Sequence, residues 1–318
     1  MFFFTSLFYK SGFVEDLSLK NFYYNRLLFS YTPEKGTQWE GPVSFFKLFE
    51  FGETREKIQR VRSPYQTIDI VKNETSTDDF TLFLNGHYQF DTTREKNYHE
   101  TMASHPFLKN SLADSSFKRV LILGGGDGLL VRDLLKNFPQ LEQIILVELD
   151  EKMIEVSQKD PVKIFNEDSL KNPRVTIEIN DAFSWLRQSP IKDFDAIYLD
   201  FPYPFDEESL RLYSVEIYKL AFKKLKPNGY LMADYPLDAF KEKNSERTAE
   251  TFYSAGFQKV WWLQIPGESF ILASVKDRQI WEGLREAIDF KLLERNFRRK
   301  DYQSVLKPHS FMKGDRFF

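Results

Sequence analysis

The sequence predicts an α/β protein: an open, Rossmann-like sheet preceded by a small N-terminal antiparallel β domain. Three observations predict it. From Arg119 onward, short continuous apolar runs alternate with helical stretches, which argues for parallel strands joined by right-handed crossovers. The first of these runs passes directly into a glycine loop and then a helix, Leu123-Gly124-Gly125-Gly126-Asp127-Gly128. Upstream, shorter runs alternate apolar and polar residues around Asn85-Gly86, a strong tight-turn signal between antiparallel strands.

The elements follow in order. Residues 1–62 mix aromatic clusters with turn signals such as Pro33-Glu34-Lys35-Gly36, and no element is assigned to them. The opening Met1-Phe2-Phe3-Phe4-Thr5-Ser6-Leu7-Phe8-Tyr9 has no basic residue ahead of it, so it reads as a buried strand or a flap on an oligomer surface, not a signal peptide. Residues 63–114 form the small β domain with a linking helix. Its strands are Gln66-Thr67-Ile68-Asp69-Ile70-Val71, Phe80-Thr81-Leu82-Phe83-Leu84 and residues 87–90; the helix covers 98–108 and ends or kinks near Pro106. Residues 115–276 form the main domain. Val120-Leu121-Ile122-Leu123 and Gln143-Ile144-Ile145-Leu146-Val147 are continuous enough for strands buried on both faces, with a helix over 129–138 between them. Further strands are expected at 175–179, 196–199, 230–233 and 270–274. Residues 277–318 form a charged, partly helical tail, where Arg298-Arg299-Lys300 reads as a solvated face.

Composition narrows the function. The 318 residues include 44 Lys+Arg against 47 Asp+Glu, a net charge of −3, so no basic excess exists to neutralise nucleic-acid phosphates. The absence of cysteine removes disulfides, thiolate metal sites and a thiol nucleophile, and fits a reducing, cytoplasmic setting. Only four histidines occur (His87, His99, His105 and His309), without an HExxH pattern, so no metal site is expected. No segment approaches the roughly 20 apolar residues of a membrane span. The 32 phenylalanines read as core filler, as do Trp261-Trp262, and His87 beside the hairpin turn reads as a surface residue.

The residues that can carry chemistry lie where predicted strands end. Gly124, Gly126 and Gly128 make a GxGxG loop, in which the backbone can turn tightly and approach a ligand. The dinucleotide fingerprint GxGxxG needs a glycine where Leu129 stands, so a nucleoside with a sulfonium side chain suits the loop better. Glu148, twenty residues past Gly128, ends the next strand, where a carboxylate can accept both ribose hydroxyls. Asn180-Asp181-Ala182-Phe183 follows the third strand and offers Asp181 to an adenine amino group; Asp200 ends the fourth. The structural alternative is a set of loop carboxylates and a helix cap. Four acids with a glycine loop, in order at strand ends, point instead to a nucleoside site.

These residues resemble spermidine synthases, the aminopropyltransferases. The resemblance is carried by Val120 to Lys136 (VLILGGGDGLLVRDLLK), Ile145-Leu146-Val147-Glu148-Leu149-Asp150, Asn172-Pro173-Arg174-Val175 and Asn180-Asp181-Ala182-Phe183. Upstream it takes in Ser63-Pro64-Tyr65-Gln66, Leu82-Phe83-Leu84-Asn85-Gly86-His87-Tyr88-Gln89-Phe90, Tyr98-His99-Glu100 and His105-Pro106. Downstream it takes in Leu212-Tyr213-Ser214, Ile217-Tyr218 and Leu225-Lys226-Pro227-Asn228-Gly229. It covers about 63 to 275 and is closest to the bacterial branch often fused to a membrane domain; no such domain is expected within these 318 residues. The resemblance implies a methyltransferase-type fold with its cleft between the two domains. It implies decarboxylated S-adenosylmethionine as co-substrate, a small-molecule amine as acceptor, and a homodimer. By resemblance Gln66 and Asp127 hold the donor side chain, Glu148 the ribose and Asp181 with Ala182 the adenine. Tyr98, His99, Asp200 and Tyr203 line the acceptor junction, with Asp200 and Tyr98 catalytic. Independently, Asp127 would repel the carboxylate of ordinary S-adenosylmethionine and attract the ammonium of the decarboxylated form.

Three positions depart from the family pattern. Asp200-Phe201-Pro202-Tyr203-Pro204 has Tyr203 where the second aspartate usually stands. Arg94-Glu95 replaces an Asp-Glu pair, and Ala233-Asp234-Tyr235-Pro236-Leu237-Asp238 replaces Gln-Ser/Thr-Ser-Pro. A phenol cannot balance a diamine's charge; Asp206, Glu207, Glu208, Asp234 and Asp238 are the acids nearby in sequence. The readings are therefore an aminopropyltransferase with putrescine or an altered acceptor, a methyltransferase of the same fold using S-adenosylmethionine, or a non-catalytic binder of nucleoside or polyamine.

Overall fold

A computed structural model describes residues 29–32, 36–39, 58–72, 79–104, 117–202, 207–234, 242–265 and 268–276. The expectations placed on the opening apolar stretch, Pro106, Tyr203, Asp206, Asp238 and the tail fall outside these residues. The chain divides into two compact units, Met1–Arg94 and Glu95–Phe318.

In the first unit, β1 (Phe29–Thr32) and β2 (Gly36–Trp39) pair antiparallel. Four further strands form an antiparallel sheet in chain order: β3 (Ile58–Arg62), β4 (Thr67–Lys72), β5 (Phe80–Leu84) and β6 (His87–Asp91). The Asn85-Gly86 turn joins β5 to β6 with both residues at positive φ, 51° and 79°, as a two-residue hairpin requires. Strand β3 was not expected. It lies at the sheet edge, paired only to β4 among the described residues.

The second unit begins with α1 (Glu95–Ser104) and continues β7 (Arg119–Gly124), α2 (Leu129–Asn137), β8 (Gln143–Glu148), α3 (Glu151–Ser157), α4 (Val162–Asn166), β9 (Val175–Ile179), α5 (Ala182–Gln188) and β10 (Phe194–Asp200). After it come α6 (Glu207–Leu210), α7 (Val215–Lys224), β11 (Leu225–Asp234), α8 (Glu242–Ala255), β12 (Lys259–Ile265) and β13 (Glu268–Ser274). Seven strands make one sheet in the order β12-β13-β11-β10-β7-β8-β9. The five from β7 to β11 are parallel, whereas β13 runs antiparallel to β11 and β12 antiparallel to β13, so the sheet is mixed at one edge.

Two boundaries differ from expectation for physical reasons, and one strand was not expected. Helix α1 starts one turn earlier because Glu95 is buried by a pairing with Arg132, 37 residues away, which no local periodicity reveals. Strand β11 starts at Leu225 because its pairing with β10 jumps register from Phe194↔Leu225 to Ala196↔Tyr230, and the displaced residues include Pro227-Asn228-Gly229. Strand β12 was read only as packing; Trp261 is indeed buried, on the edge strand.

Residue alternation divides the core and places the site. One sheet face presents Leu121, Leu123, Ile145, Val147, Ile197, Leu199, Leu231 and Ala233 to α5, α7 and α8. The other presents Val120, Ile122, Ile144, Leu146, Ala196, Tyr198, Tyr230 and Met232 to α1 and α2. Period-2 alternation therefore carries Glu148, Asp200 and Asp234 onto the α1 face at the carboxyl ends of their strands. The chain leaves β7 toward β8 on one side and returns to β10 on the other. That reversal is the switch point at which open α/β sheets leave a crevice.

Candidate functional site

The loop after β7 is held against β10. Gly124 and Gly125 have φ of 82° and 70°, and a Cβ on Gly124 would stand 2.2 Å from the Asp200 carbonyl oxygen. Only glycine lets the two strand ends approach this closely. The Gly125 N–H donates to that same oxygen at 3.0 Å. Asp127 Oδ1 accepts the Leu129 N–H at 2.8 Å at the start of α2, and Asn166 Nδ2 donates to the Asp127 carbonyl at 2.8 Å.

Glu148 stands beside the loop. Its Oε2 accepts the Gly126 N–H at 3.2 Å and its Oε1 the Asp150 N–H at 2.9 Å. Burial pushes its carboxyl up to about 7; the charges of Asp150 and Asp127 add to the shift, and the two N–H bonds oppose it. A Cβ on Gly126 would meet Glu148 Oε2 at 2.7 Å. Gly126→Ala is therefore expected to displace this carboxylate and to destabilise the fold by about 1–3 kcal/mol. Denaturant titration reads the loss; an unchanged midpoint would show that Glu148 can move aside freely.

Asp200 is the buried centre. Its Oδ1 accepts the Tyr98 hydroxyl at 2.9 Å, and its Oδ2 is buried without a hydrogen-bond partner among the described residues. That oxygen faces the glycine loop: a Cβ on Gly125 would lie 2.8 Å from it. Burial, then the charge of Asp127, raises the Asp200 carboxyl to about 6, against the opposing charge of His99 and the Tyr98 hydrogen bond. The Tyr98 ring lies 5.2 Å from Phe270 and 4.9 Å from His99. Burial, Asp200 and Asp234 hold its phenol well above the ordinary range, so it remains a donor.

His99 is a cation at neutral pH. Burial alone would lower it, but hydrogen bonding to Glu95 and the charges of Asp127, Asp200 and Glu95 lift it to about 9. Its Nδ1 lies 3.1 Å from the Glu95 carbonyl and 3.2 Å from Glu95 Oε2, and its Nε2 lies 3.9 Å from Asp127 Oδ2. Glu95 is held in turn by Arg132, whose Nη1 and Nη2 donate at 3.1 and 3.0 Å, while Arg132 Nε donates to Asp133 at 2.8 Å. Sequence reasoning missed Arg132 and Asp133. A charged pair inside the apolar run Leu129-Leu130-Val131-Arg132-Asp133-Leu134-Leu135 was the available signal, since buried charges are paired.

The other expected residues lie as follows. Asp181 Oδ1 caps α5 by accepting the Ser184 N–H at 2.9 Å, and Ala182 opens that helix and is buried. Asp181 Oδ2 lies 2.5 Å from Arg211, whose guanidinium also sits 5.7 Å from the Phe183 ring. Arg211 was not singled out, and nothing in its sequence neighbourhood marks it. Gln66, in the first unit, is half-buried just before β4, in a turn where the Ser63 Oγ accepts its N–H at 3.0 Å. Arg94, also in that unit, turns onto Asp91 at 2.8 Å with its side chain 62% exposed. The structure thus brings together Gly124, Gly126, Asp127, Gly128, Glu148, Tyr98, His99 and Asp200. Among the described residues no cluster is arranged to hold a metal ion, and no helix is long and apolar enough to cross a membrane. Carboxylates of this kind can accept hydroxyl and ammonium hydrogens from a ligand lying across the strand ends.

Comparison with known proteins agrees with this layout. Residues 95–262, more than half of the chain, match the spermine/spermidine synthase domain. The chain is 36% identical over 196 residues to polyamine aminopropyltransferase 1 of Streptomyces coelicolor, covering 61% of this chain and 35% of that protein. It is 38% identical over 197 residues to the polyamine aminopropyltransferase of Mycobacterium tuberculosis, covering 61% and 36%. The chain thus spans little more than a third of the length of these relatives. In fold it is similar to the spermidine synthase of Thermotoga maritima, with a TM-score of 0.58 at 23% identity, over 80% of this chain and 81% of that one.

Proposed function

The chain belongs to the spermine/spermidine synthase domain family, and on that premise we propose that it moves an aminopropyl group from decarboxylated S-adenosylmethionine to an amine, releasing methylthioadenosine. The observation that carries the reading is Asp200 Oδ2, a buried carboxylate oxygen without a partner among the described residues, facing the glycine loop. The name polyamine aminopropyltransferase borne by the relatives supports it.

In this reading Glu148 accepts the ribose hydroxyls and Asp181, beside Ala182, the adenine amino group. Asp127 holds the donor's propylamine, and Tyr98, His99 and Asp200 belong to the acceptor's seat. A neutral amine attacks the methylene carbon next to the sulfonium. The new C–N bond forms as the C–S bond breaks, and the bonding pair passes to sulfur. Asp200 holds the attacking nitrogen in line and accepts or relays its excess proton. Its raised pKa makes it a better base than an ordinary aspartate, yet still a weak one toward an amine of pKa about 10, so orientation is its larger contribution. The sulfur loses its positive charge during the step, so no oxyanion donor is required.

One observation favours a second reading. His99 is a cation 3.9 Å from Asp127, and a cation there offsets the acid's repulsion of a carboxylate. Ordinary S-adenosylmethionine, as a methyl donor, is the alternative for that reason. Separate incubation of the protein with each nucleoside and a pool of amines, read by mass, decides between them. Methylthioadenosine with a propylamine mass gain supports aminopropyl transfer; S-adenosylhomocysteine with a methyl gain overturns it. Both Asp200 and Glu148 act ionised, so kcat/KM is expected to rise with pH through about 6 to 7. A profile flat across that interval would remove both carboxylates from the mechanism.

A further inference from the structure

The carboxylate that the nucleoside reading gives to the base carries an arginine that the transfer step does not use. The Asn180 N–H donates to the Glu148 carbonyl at 2.9 Å, so the chain sets Asp181 next along the strand ends from the ribose acid. Asp181 Oδ1 accepts the Ser184 N–H at 2.9 Å, and its Oδ2 accepts from Arg211 Nη2 at 2.5 Å. Two donors from separate elements, one on each oxygen, fix the plane of the carboxylate. A carboxylate accepts about four hydrogens, so both oxygens keep capacity for a ligand.

Arg211 is itself held in place. It opens a 3₁₀ turn (Arg211–Tyr213) between α6 and α7. The Ser214 Oγ donates to its carbonyl at 2.6 Å, and the Tyr213 hydroxyl donates to the Pro202 carbonyl at 3.0 Å. The Phe183 ring, 5.7 Å from the guanidinium, restricts it further without taking its N–H groups. The pair is not a stability device: its side chains are 35% and 24% exposed, and ion pairs this exposed contribute little to folding. A braced guanidinium on a carboxylate that folding does not need points to the orientation of Asp181. A carboxylate accepts hydrogens and offers none. Held still, it suits the exocyclic amino group of adenine and opposes the 6-oxo group of hypoxanthine, which is itself an acceptor.

Resting on the aminopropyl-transfer reading, we propose that Arg211 is a positioning residue for the nucleoside base: it holds Asp181 in the orientation that accepts a 6-amino group, and so makes the site select adenine nucleosides over their 6-oxo counterparts. Arg211 acts through Asp181 and touches neither the base nor the reacting atoms.

The test is calorimetric binding of methylthioadenosine and of methylthioinosine, its 6-oxo counterpart. The proteins are wild type, Arg211→Met, Arg211→Lys, Asp181→Ser and the double variant Arg211→Met with Asp181→Ser, each checked for folding by thermal unfolding. Asp181→Ser keeps a helix cap and removes the carboxylate. Arg211→Met is expected to weaken methylthioadenosine about five- to tenfold, the size of one misplaced hydrogen bond, and to leave methylthioinosine within about twofold. Arg211→Lys keeps the charge without the planar fork and should restore only part of the preference. In the Asp181→Ser background Arg211→Met should change nothing further. Equal losses for both nucleosides, or an unchanged preference in a folded Arg211→Met, overturn the assignment and leave the transfer reading standing. A full further loss in the Asp181→Ser background does the same, because it would put Arg211 on the base itself. If wild type prefers methylthioadenosine and Arg211→Met loses that preference, but decarboxylated S-adenosylmethionine with the amine pool gives no transfer, the transfer reading falls and the assignment stands. If wild type binds neither nucleoside, both fall.

Discussion

Replacing Asp200 by asparagine is expected to lower kcat by about 10²–10⁴-fold, the range for losing a positioned acid–base group. The same change should raise folding stability at alkaline pH. The two effects have one cause. In the folded chain Asp200 is surrounded by the charge of Asp127, the cation of His99 and the phenol of Tyr98, and burial dominates, so its carboxyl ionises only near 6. A raised carboxyl pKa means that the folded state holds the proton more tightly than the unfolded state. The slope of unfolding free energy with pH is then negative between the ordinary value of 3.8 and about 6. The proton-linked stability is complete below 3.8 and is lost as pH rises through about 6. Above that the wild type carries a constant penalty of at most about 3 kcal/mol. Asparagine keeps an acceptor for the Tyr98 hydroxyl and removes the charge. The gain of Asp200→Asn over wild type should therefore grow from acid pH to about 6–7 and then level off. Chemical denaturation at several pH values, paired with single-turnover rates, measures both halves. A variant that is inactive but less stable at every pH would mean that Asp200 is a structural hydrogen-bond acceptor and not a strained functional group.

Much of the site was legible in the chain because its parts are local. Apolar runs without alternation located β7, β8 and β10, and an acid that closes such a run lies at the carboxyl end of a buried strand. Glu148 and Asp200 were therefore placed by pattern alone, and the glycine loop by its composition. What stayed hidden depends on partners distant in sequence. The second unit's sheet ends in two antiparallel strands, β13 and the edge strand β12, and the second of these was missed because its residues looked like aromatic packing. Asp127 was read as an acid toward the donor's ammonium, yet one oxygen accepts the Leu129 N–H at the start of α2 and the other lies 3.9 Å from His99, whose protonated form Glu95, Asp127 and Asp200 favour together. Asp181 was read toward a ligand, and its oxygens also meet Ser184 and Arg211. In each case the sequence shows the group but not its neighbours, and the neighbours decide its charge.

Removing Arg132 should be the most destabilising single substitution at the site. Its side chain is 5% exposed, those of Glu95 and Asp133 are 1% and 4% exposed, and a single guanidinium serves both carboxylates. Arg132→Met takes the guanidinium away from two buried carboxylates, Glu95 and Asp133, a change expected to cost about 3–5 kcal/mol. Replacing all three ion-pair residues together, as Arg132→Met with Glu95→Gln and Asp133→Asn, should recover much of that loss, because no uncompensated charge remains. The triple variant would still fail at the site. Burial would raise the Glu95 carboxyl, but hydrogen bonds from His99 and Arg132 bring it down to about 2, and its hydrogen bond, ahead of the charges of Asp127 and Asp200, favours the protonated form of His99. The signs are opposite for the two partners. The stability from Glu95 is present above 4.5 and lost as pH falls through about 2; that from His99 is present below 6.5 and lost as pH rises through about 9. Both are complete only between 4.5 and 6.5, which places the network's maximum there. In the triple variant the His99 titration, followed by its ring proton resonances, should fall from about 9 toward 6.5 or below, and Asp127 would lose its counter-charge at neutral pH. A stable triple variant with His99 still titrating near 9 would show that Asp127 and Asp200 alone hold the cation, and Glu95 would then be a packing residue.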